Sequence, residues 1–331
     1  MRYALRRLLH ALLLLFGVSI LTFLFAALTP GNYFDEMRLN PQISAETVKA
    51  LRTQYGIDRP LPIRYAHWII STLQGDLGFS FAYNLPVAPL LWVRARNTLL
   101  LTITATALAW LLALPIGIWS AEKQGHWPDR TISGVTGFLL GMPDVLLALG
   151  FLWLAVRSRF FPSGGMTSVD FDSLHFGGQL YDLFLHLVLP ASVLVLSAFP
   201  LIVRHVRSAI ADVLHCGFLR AAEAHGVPRR PLLYRYALRA AANPLISLFG
   251  FSVGALLSGS LLVEVIFGWP GLGPLLLEAI LARDLFVVIG GVLASTIFLI
   301  SGNFFADLLL YWADPRIRRA ASFQAPEKTH A

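Results

Sequence analysis

Two titratable residues lie inside long apolar runs of this sequence, Asp144 directly after Pro143 and His186 near the start of Leu183–Val203. In lipid such groups mark an ion or solute path, or a polar partner on a neighbouring helix. A proline disturbs its helix and leaves backbone groups for a polar side chain or a water to satisfy, so Asp144 keeps two readings. It is a structural or pathway-lining acid, or it contacts a solute or ion directly. His186 reads as an interfacial residue rather than a catalyst. Other chemistry is missing from the chain. A nucleotide-hydrolysing loop ends in Gly-Lys-Ser/Thr, and the lysines, Lys49, Lys123 and Lys328, follow Val48, Glu122 and Glu327. No His-Glu-x-x-His pair occurs, and an intramembrane protease is thinly supported. Cys216, the single cysteine, permits no internal disulfide and no cysteine-rich metal site. Energy for any transport therefore comes from another polypeptide or from an ion gradient.

The elements that position these residues follow from composition. Of 331 residues 56% are hydrophobic and 14% charged, against about 25% charged in soluble domains. With a mean hydropathy of +0.66 the solvent is lipid. A helix crosses the hydrocarbon with about 20 apolar residues. Six charge-poor runs have that length: Leu8–Leu28, Thr98–Trp119, Ile132–Val156, Leu183–Val203, Pro244–Val263 and Leu285–Ala306. The expected fold is an all-α membrane protein with six transmembrane helices. The leader Met1-Arg-Tyr-Ala-Leu-Arg-Arg7 also suits a cleaved signal peptide, but the apolar stretch is longer than the usual core of about 7–15 residues and no small-x-small site precedes Thr29-Pro30. Residues 1–28 read as a retained signal-anchor helix.

The formal charge is +7, and its placement sets orientation. Arg204, Arg207, Arg220, Arg229, Arg230, Arg235 and Arg239 lie between the fourth and fifth runs, with Arg2, Arg6 and Arg7 in the leader and Arg316, Arg318 and Arg319 in the tail. Six spans put all three segments on one side, and the positive-inside rule makes that side the cytoplasm, with both termini there. Nucleic-acid binding needs the basic residues gathered on a soluble face, and none is indicated. Residues 29–97 are then external, 98–310 form the transmembrane core with its cytoplasmic loop 204–242, and 311–331 a cytoplasmic tail. In the external segment Ser44–Arg52 reads as a short helix with Ser44 as N-cap, Pro60 and Pro62 end any regular helix, and a Gly75–Gly78 turn precedes Phe79-Ser-Phe81.

The stretch Arg204–Ala242 is too polar to span and too patterned for a plain linker. Phe218-Leu-Arg-Ala-Ala-Glu-Ala-His-Gly226 forms a helix stopped by Gly226 with Pro228 beyond. Its alanines permit close approach, and Phe218 and Leu219 suit a partner's groove; an amphipathic helix lying on lipid is the equal alternative. Farther on, Trp269 suits a membrane–water interface, while Pro270, Gly271 and Gly273 force a turn and Glu264 precedes it at the span's outer end. Glu264 reads either as an interfacial anchor for that loop or as a substrate contact.

Arg220-Ala-Ala-x-x-x-Gly226 with Ala237-Leu-Arg-Ala-Ala-Ala-Asn-Pro244 resembles the EAA loop of permease subunits in bacterial ABC importers, particularly the dipeptide/oligopeptide/nickel permease family. Gly75-Asp-Leu-Gly-Phe-Ser80, Leu262-Val-Glu-Val-Ile-Phe-Gly-Trp-Pro-Gly-Leu-Gly273, Ala282-Arg-Asp284 and Asp314-Pro-Arg-Ile-Arg318 are similar to other blocks of that family and extend the likeness over nearly the whole chain. The resemblance implies a type I importer transmembrane domain in the bacterial inner membrane. It implies a heterodimer with a homologous permease subunit, cytoplasmic ABC ATPases that hold ATP-Mg, and an external solute-binding protein; this chain itself binds no cofactor or metal and is no enzyme. Phe218, Leu219, Arg220, Ala221, Ala222, Glu223, Ala224 and Gly226 then form the ATPase-coupling helix. Glu264, Trp269, Pro270, Gly271 and Gly273 form an external gate or loop, with Asp144 as the pathway candidate. Arg220 stands where the general motif has glutamate, as is usual in the peptide branch, and Gly217 where that branch has an acidic residue. The implied cargo is short peptides, with nickel complexes, glutathione-like molecules or antimicrobial peptides as alternatives. A self-contained secondary carrier using Asp144 is the rival class.

Overall fold

The computed structural model describes residues 2–28, 44, 46 and 59–313. Among the described residues, five helices are long and apolar enough to cross a membrane: α1 (Arg2–Leu28), α3 (Val87–Glu122), α6 (Phe176–Leu214), α8 (Ala242–Phe267) and α10 (Leu285–Ala313). Between them come α2 (Leu61–Leu73), a small hairpin of β1 (Phe79–Ser80) and β2 (Leu85–Pro86), α4 (Trp127–Leu140), α5 (Asp144–Ser158), α7 (Gly217–Ala224) and α9 (Leu272–Leu281). The hairpin is antiparallel with Phe79 opposite Pro86.

The run Ile132–Val156, expected as one span disturbed at Pro143, is α4 and α5 bent at 95°. Pro143 has no N–H to donate and disfavours a helical Met142 before it. The chain leaves α4 at Gly141 and restarts when the Pro143 carbonyl accepts the Leu146 and Leu147 N–H groups at 2.9 and 3.2 Å. Two other expectations shift. Pro60 and Pro62 open a helix rather than only closing one, because a proline in the first turn loses no intrahelical bond. The segment 204–242 is mostly helical: α6 runs on to Leu214, and Arg229–Pro231, a π-helical stretch Leu232–Ala237 and Leu238–Ala240 lead into α8. Helix α6 has 39 residues, about 58 Å at 1.5 Å per residue, so it projects well beyond roughly 30 Å of hydrocarbon. Within Ser44–Arg52 only Ser44 and Glu46 are described, and the tail from 314 lies outside the described residues.

Small residues set the packing distances. Ala95, Ala105, Ala109 and Ala113 form a buried stripe along α3, the pattern by which helices approach closely in lipid. A Cβ on Gly117 of α3 would lie 2.7 Å from Val206 of α6, one on Gly250 of α8 2.6 Å from Ala306 of α10, and one on Gly302 2.5 Å from Val253. Two buried hydroxyls of α3 are satisfied inside their own helix, with Thr102 Oγ1 donating to Thr98 O at 2.8 Å and Thr106 Oγ1 to Thr102 O at 2.7 Å. At the edge of the body α1 seats Phe23 against Tyr65 and Trp68 of α2, and its Arg7 pairs with Asp307 of α10 at 2.6 Å. Replacement of Gly117 by leucine is expected to part α3 from α6 and destabilise the fold by about 1–3 kcal/mol. Gly134→Ala, whose Cβ meets nothing within 4 Å, is expected to be neutral or stabilising by up to about 1 kcal/mol. Thermal unfolding of the two detergent-solubilised variants measures the difference.

Candidate functional site

The loop after α8 is built around Glu264. Gly268 takes the left-handed conformation, φ +60°, and closes the helix. The Trp269 N–H then returns to the Glu264 carbonyl at 2.8 Å. The Glu264 side chain accepts the Gly273 N–H at 2.8 Å through Oε2. Across the loop, Trp269 Nε1 donates to Asn97 O at 3.0 Å, Asn97 Nδ2 donates to Pro270 O at 2.9 Å, and Thr98 Oγ1 accepts the Leu272 N–H at 2.8 Å. Trp269 and Glu264 are both 0% exposed. Both are enclosed by protein rather than facing outward from it: the loop folds back onto the start of α3, covers the indole and turns the carboxyl inward. The glycines are required by space. A Cβ on Gly271 would lie 2.4 Å from the Glu264 carboxyl, and one on Gly273 2.2 Å from Leu261 O.

The hairpin is fastened to the same end of the body. Asp284, 1% exposed, accepts Ser80 Oγ at 2.7 Å and the Ala82 N–H at 3.1 Å, so it ties β1 to the start of α10. Tyr83 donates to Glu278 of α9. Burial, then that hydrogen bond, pushes the Tyr83 phenol up to about 12.

The opposite end carries α7. Leu219 is 1% exposed and packs into the core with Leu232, while Phe218 is 52% exposed. Of the two expected anchors, then, Phe218 is available to a partner and Leu219 is spent holding α7 to its own chain. Arg220, Ala221, Glu223, Ala224 and Gly226 are also exposed, and Ala222 is half-buried beside Val227. Gly226 has φ +81° and open space around a would-be Cβ, so its requirement is conformational and not steric. Val227 N donates to Ala222 O at 3.2 Å and Gly226 N to Glu223 O at 2.9 Å, a double closure of the helix end. Arg229 braces the unit, reaching Glu122 of α3 and Glu223 of α7, each at 3.3 Å. Beneath α7 these residues border a cleft of ≈ 230 Å³ that also includes Ala121, Leu214 and Leu232.

Asp144 belongs to neither end. It begins α5 at the bend, half-buried, and its Oδ1 accepts Ser197 Oγ of α6 at 2.7 Å. His186 is 7% exposed and is covered by its own protein, with Nδ1 2.8 Å from Asp182 O one turn earlier. The structure therefore separates the sequence-marked residues into three places, with the 26 residues of α8, about 39 Å, between the loop and α7. Sequence reasoning passed over Asn97, Thr98 and Arg229, whose partners lie far away in the chain. It also passed over Gly250-Phe-Ser-Val-Gly254, which spells a nucleophile-elbow motif. That serine is no nucleophile: an elbow needs a strand-to-helix turn, and Ser252 sits inside α8, 2% exposed, donating to Phe249 O at 2.8 Å and accepting Trp110 Nε1 at 2.9 Å.

Comparison with known proteins bears on what this geometry serves. Residues 113–319 match the family described as binding-protein-dependent transport system inner membrane component, and residues 1–102 match the N-terminal component of such systems. A putative peptide permease of Brucella ovis is 36% identical over 96% of this chain and 99% of its own length. The oligopeptide transport system permease AppB of Bacillus subtilis is 33% identical over 95% and 98%, and the glutathione transport system permease GsiC of Salmonella typhimurium 35% identical over 96% and 99%. Among solved structures, a chain of the MetNI methionine ABC transporter superposes with a TM-score of 0.55 at 18% identity, covering 68% of this chain and 96% of that one, a likeness of fold.

Two substitutions test the loop. Trp269→Phe loses the indole hydrogen bond to Asn97 O and leaves a cavity in a fully enclosed site, at an expected cost of about 1–3 kcal/mol. Gly273→Ala places a methyl against backbone that cannot yield and is expected to lower the melting temperature further than Trp269→Phe.

Proposed function

The chain belongs to the family of binding-protein-dependent transport system inner membrane components, and from that premise we propose that it imports short peptides as one half of a heterodimeric pathway. It is a multi-pass permease subunit of the bacterial inner membrane with the type I ABC-importer transmembrane fold, and ATP hydrolysis belongs to a separate subunit. Family membership brings ATPase and binding-protein partners. The second, homologous permease is part of the proposal, as is the orientation with α7 and both termini in the cytoplasm.

The observation that carries the reading is the build of α7. A helix of eight residues is too short to be stable alone. Here its inner face is pinned by Leu219, its end is closed at Gly226, and Arg229 braces it to α3. Its outer face, with Phe218, Arg220, Ala221 and Ala224, is left uncovered. That is the form of a part anchored on one face and open to a partner on the other, and we assign it as the coupling helix that follows closure of the ATPase pair. Differential affinity of ATP for the two states then shifts the permease between inward and outward exposure. Asp144, half-buried at the bend, is the pathway candidate; Glu264, enclosed by its own loop, holds the external end together. The peptide class rests on the relatives named as peptide and oligopeptide permeases, and glutathione is the second cargo because GsiC is equally similar.

Uptake by the reconstituted complex tests both parts. Labelled di- to pentapeptides are expected to enter in an ATP-dependent way and to compete with one another; uptake of glutathione alone assigns the second cargo. Gly226→Asn, which tolerates a positive φ, is expected to retain most uptake. Gly226→Trp obstructs the docking face and is expected to abolish binding-protein-stimulated ATP hydrolysis, and full activity of the tryptophan variant removes α7 from the coupling role.

A further inference from the structure

The two halves of the bent span each begin near an aspartate, and α6 holds both. In the first turn of α4, Asp129 is 4% exposed and receives four hydrogen bonds. They come from Arg207 Nε at 2.5 Å and Nη2 at 2.7 Å, from Ser120 Oγ at 2.7 Å, and from the Gly125 N–H at 2.8 Å. Both carboxylate oxygens are engaged, and the donors come from α6, α3 and the turn that joins α3 to α4. Asp144 of α5 has one hydrogen bond to α6, from Ser197. Ser197 and Arg207 lie about 15 Å apart along α6 at 1.5 Å per residue.

The two attachments differ in stiffness. A guanidinium fork on a carboxylate fixes orientation as well as distance, whereas a single hydroxyl bond can pivot. An ion pair drawn partly out of water, as here with Asp129 buried and Arg207 half-buried, is also a poor device for stability alone, since well-packed apolar residues of similar volume often serve as well or better. What the fork adds is geometry. Arg207 stands two turns before Leu214, where α6 gives way to α7, and Gly117 beside Val206 brings α3 into close contact with α6 at this level.

We propose that Asp129 and Arg207 are positioning residues that clamp α4 to α6, so that a displacement of α7 reaches the bent span and changes its angle at Gly141–Pro143. The proposal rests on the assignment of α7 as the coupling helix. Because α5 is tied to α6 by the softer Asp144–Ser197 bond and packs against α8 as much as against α6, α4 travels with α6 while α5 lags, and the bend absorbs the difference. Coupling here passes through a contiguous chain of packed and hydrogen-bonded groups, α7 to α6 to α4, rather than through an unspecified rearrangement.

The test uses the full complex in liposomes, with Cys216→Ser as background and spin-label pairs at exposed positions. In the otherwise unaltered chain, Arg130→Cys with Ser208→Cys reports the α4–α6 distance, and Arg130→Cys with Trp153→Cys reports the distance across the bend. Between the ATP-free and ATP-trapped states the first distance is expected to hold within about 2 Å, the scale of small helix shifts, while the second changes by more. Parting of α4 from α6 by as much as the bend distance changes, or no change at the bend, overturns the clamp. A third label at Phe218→Cys separates this outcome from failure of the coupling assignment, because an α7 that does not move on ATP trapping refutes that assignment instead. In the functional arm, Asp129→Asn is expected to lower peptide moved per ATP hydrolysed about tenfold, the usual scale of a coupling term. Arg207→Lys, which keeps charge but loses the fork, is expected to fall between. An assembled Asp129→Asn complex with the wild-type ratio overturns the proposal, and if that variant fails to assemble, the distance measurements in the unaltered clamp decide.

Discussion

A backbone group or a carboxylate shut away from water needs a partner within the fold, and the irregular parts of this chain are arranged around that constraint. Where α8 ends, the Glu264 carbonyl accepts the Trp269 N–H and its Oε2 the Gly273 N–H, while its Oε1 is buried without a hydrogen-bond partner. Where the third span breaks, the Pro143 carbonyl starts the next helix and Ser197 of α6 reaches Asp144. Where the hairpin meets α10, Asp284 takes up Ser80 and the Ala82 N–H. Each departure from helix is thus bonded to a neighbouring element, and the same bonds that satisfy it fix where it points.

This has a consequence for rigidity. At the hairpin end the closures are glycine-bound and fully enclosed: Gly271 leaves no room beside Glu264, Gly273 none beside Leu261, and Trp269 is covered on all sides. Such packing resists continuous deformation. The α7 end is held differently. Leu219 and the exposed Arg229 brace attach a helix whose other face is open, and surface ion pairs of that kind contribute little net stability. Stiffness and freedom are therefore divided between the two ends of one body, with the 95° bend between them.

Much of the fold was legible in the sequence because hydrocarbon imposes a simple length rule. All five continuous long helices contain a charge-poor run, and Pro143 marked the place where the remaining run was vulnerable. The bend itself was not legible, since a proline within a span is compatible with a mild kink, and only the docking of α4 and α5 on α6 decides the angle. In the candidate site, the Trp-Pro-Gly-Leu-Gly run announced a turn, yet its burial was hidden: Asn97 and Thr98, which receive it, lie more than 170 positions away. Phe218 and Leu219 looked alike as apolar neighbours on a short helix. Helical spacing alone does not say which faces inward, and the answer came from the position of Leu232. Asp129 was invisible for a related reason. Trp-Pro-Asp-Arg reads as an ordinary helix start, an acid placed for the helix dipole, and its partner Arg207 reads as one more positive-inside arginine.

That last ambiguity has physical content. Arginines on one side of a membrane protein are usually explained by topology alone, and most of those between α6 and α8 remain exposed. Arg207 differs because it lies inside the length of α6 and spends its guanidinium on a carboxylate that is 4% exposed. A charge kept only for orientation is better left in water, where it avoids the desolvation cost of burial. A chain without its own nucleotide site must take in work mechanically, through surfaces and rods. In such a chain a bidentate pair between a half-buried arginine and a buried carboxylate, where one rod meets another, has a use that neither stability nor topology supplies: it makes two helices move as one.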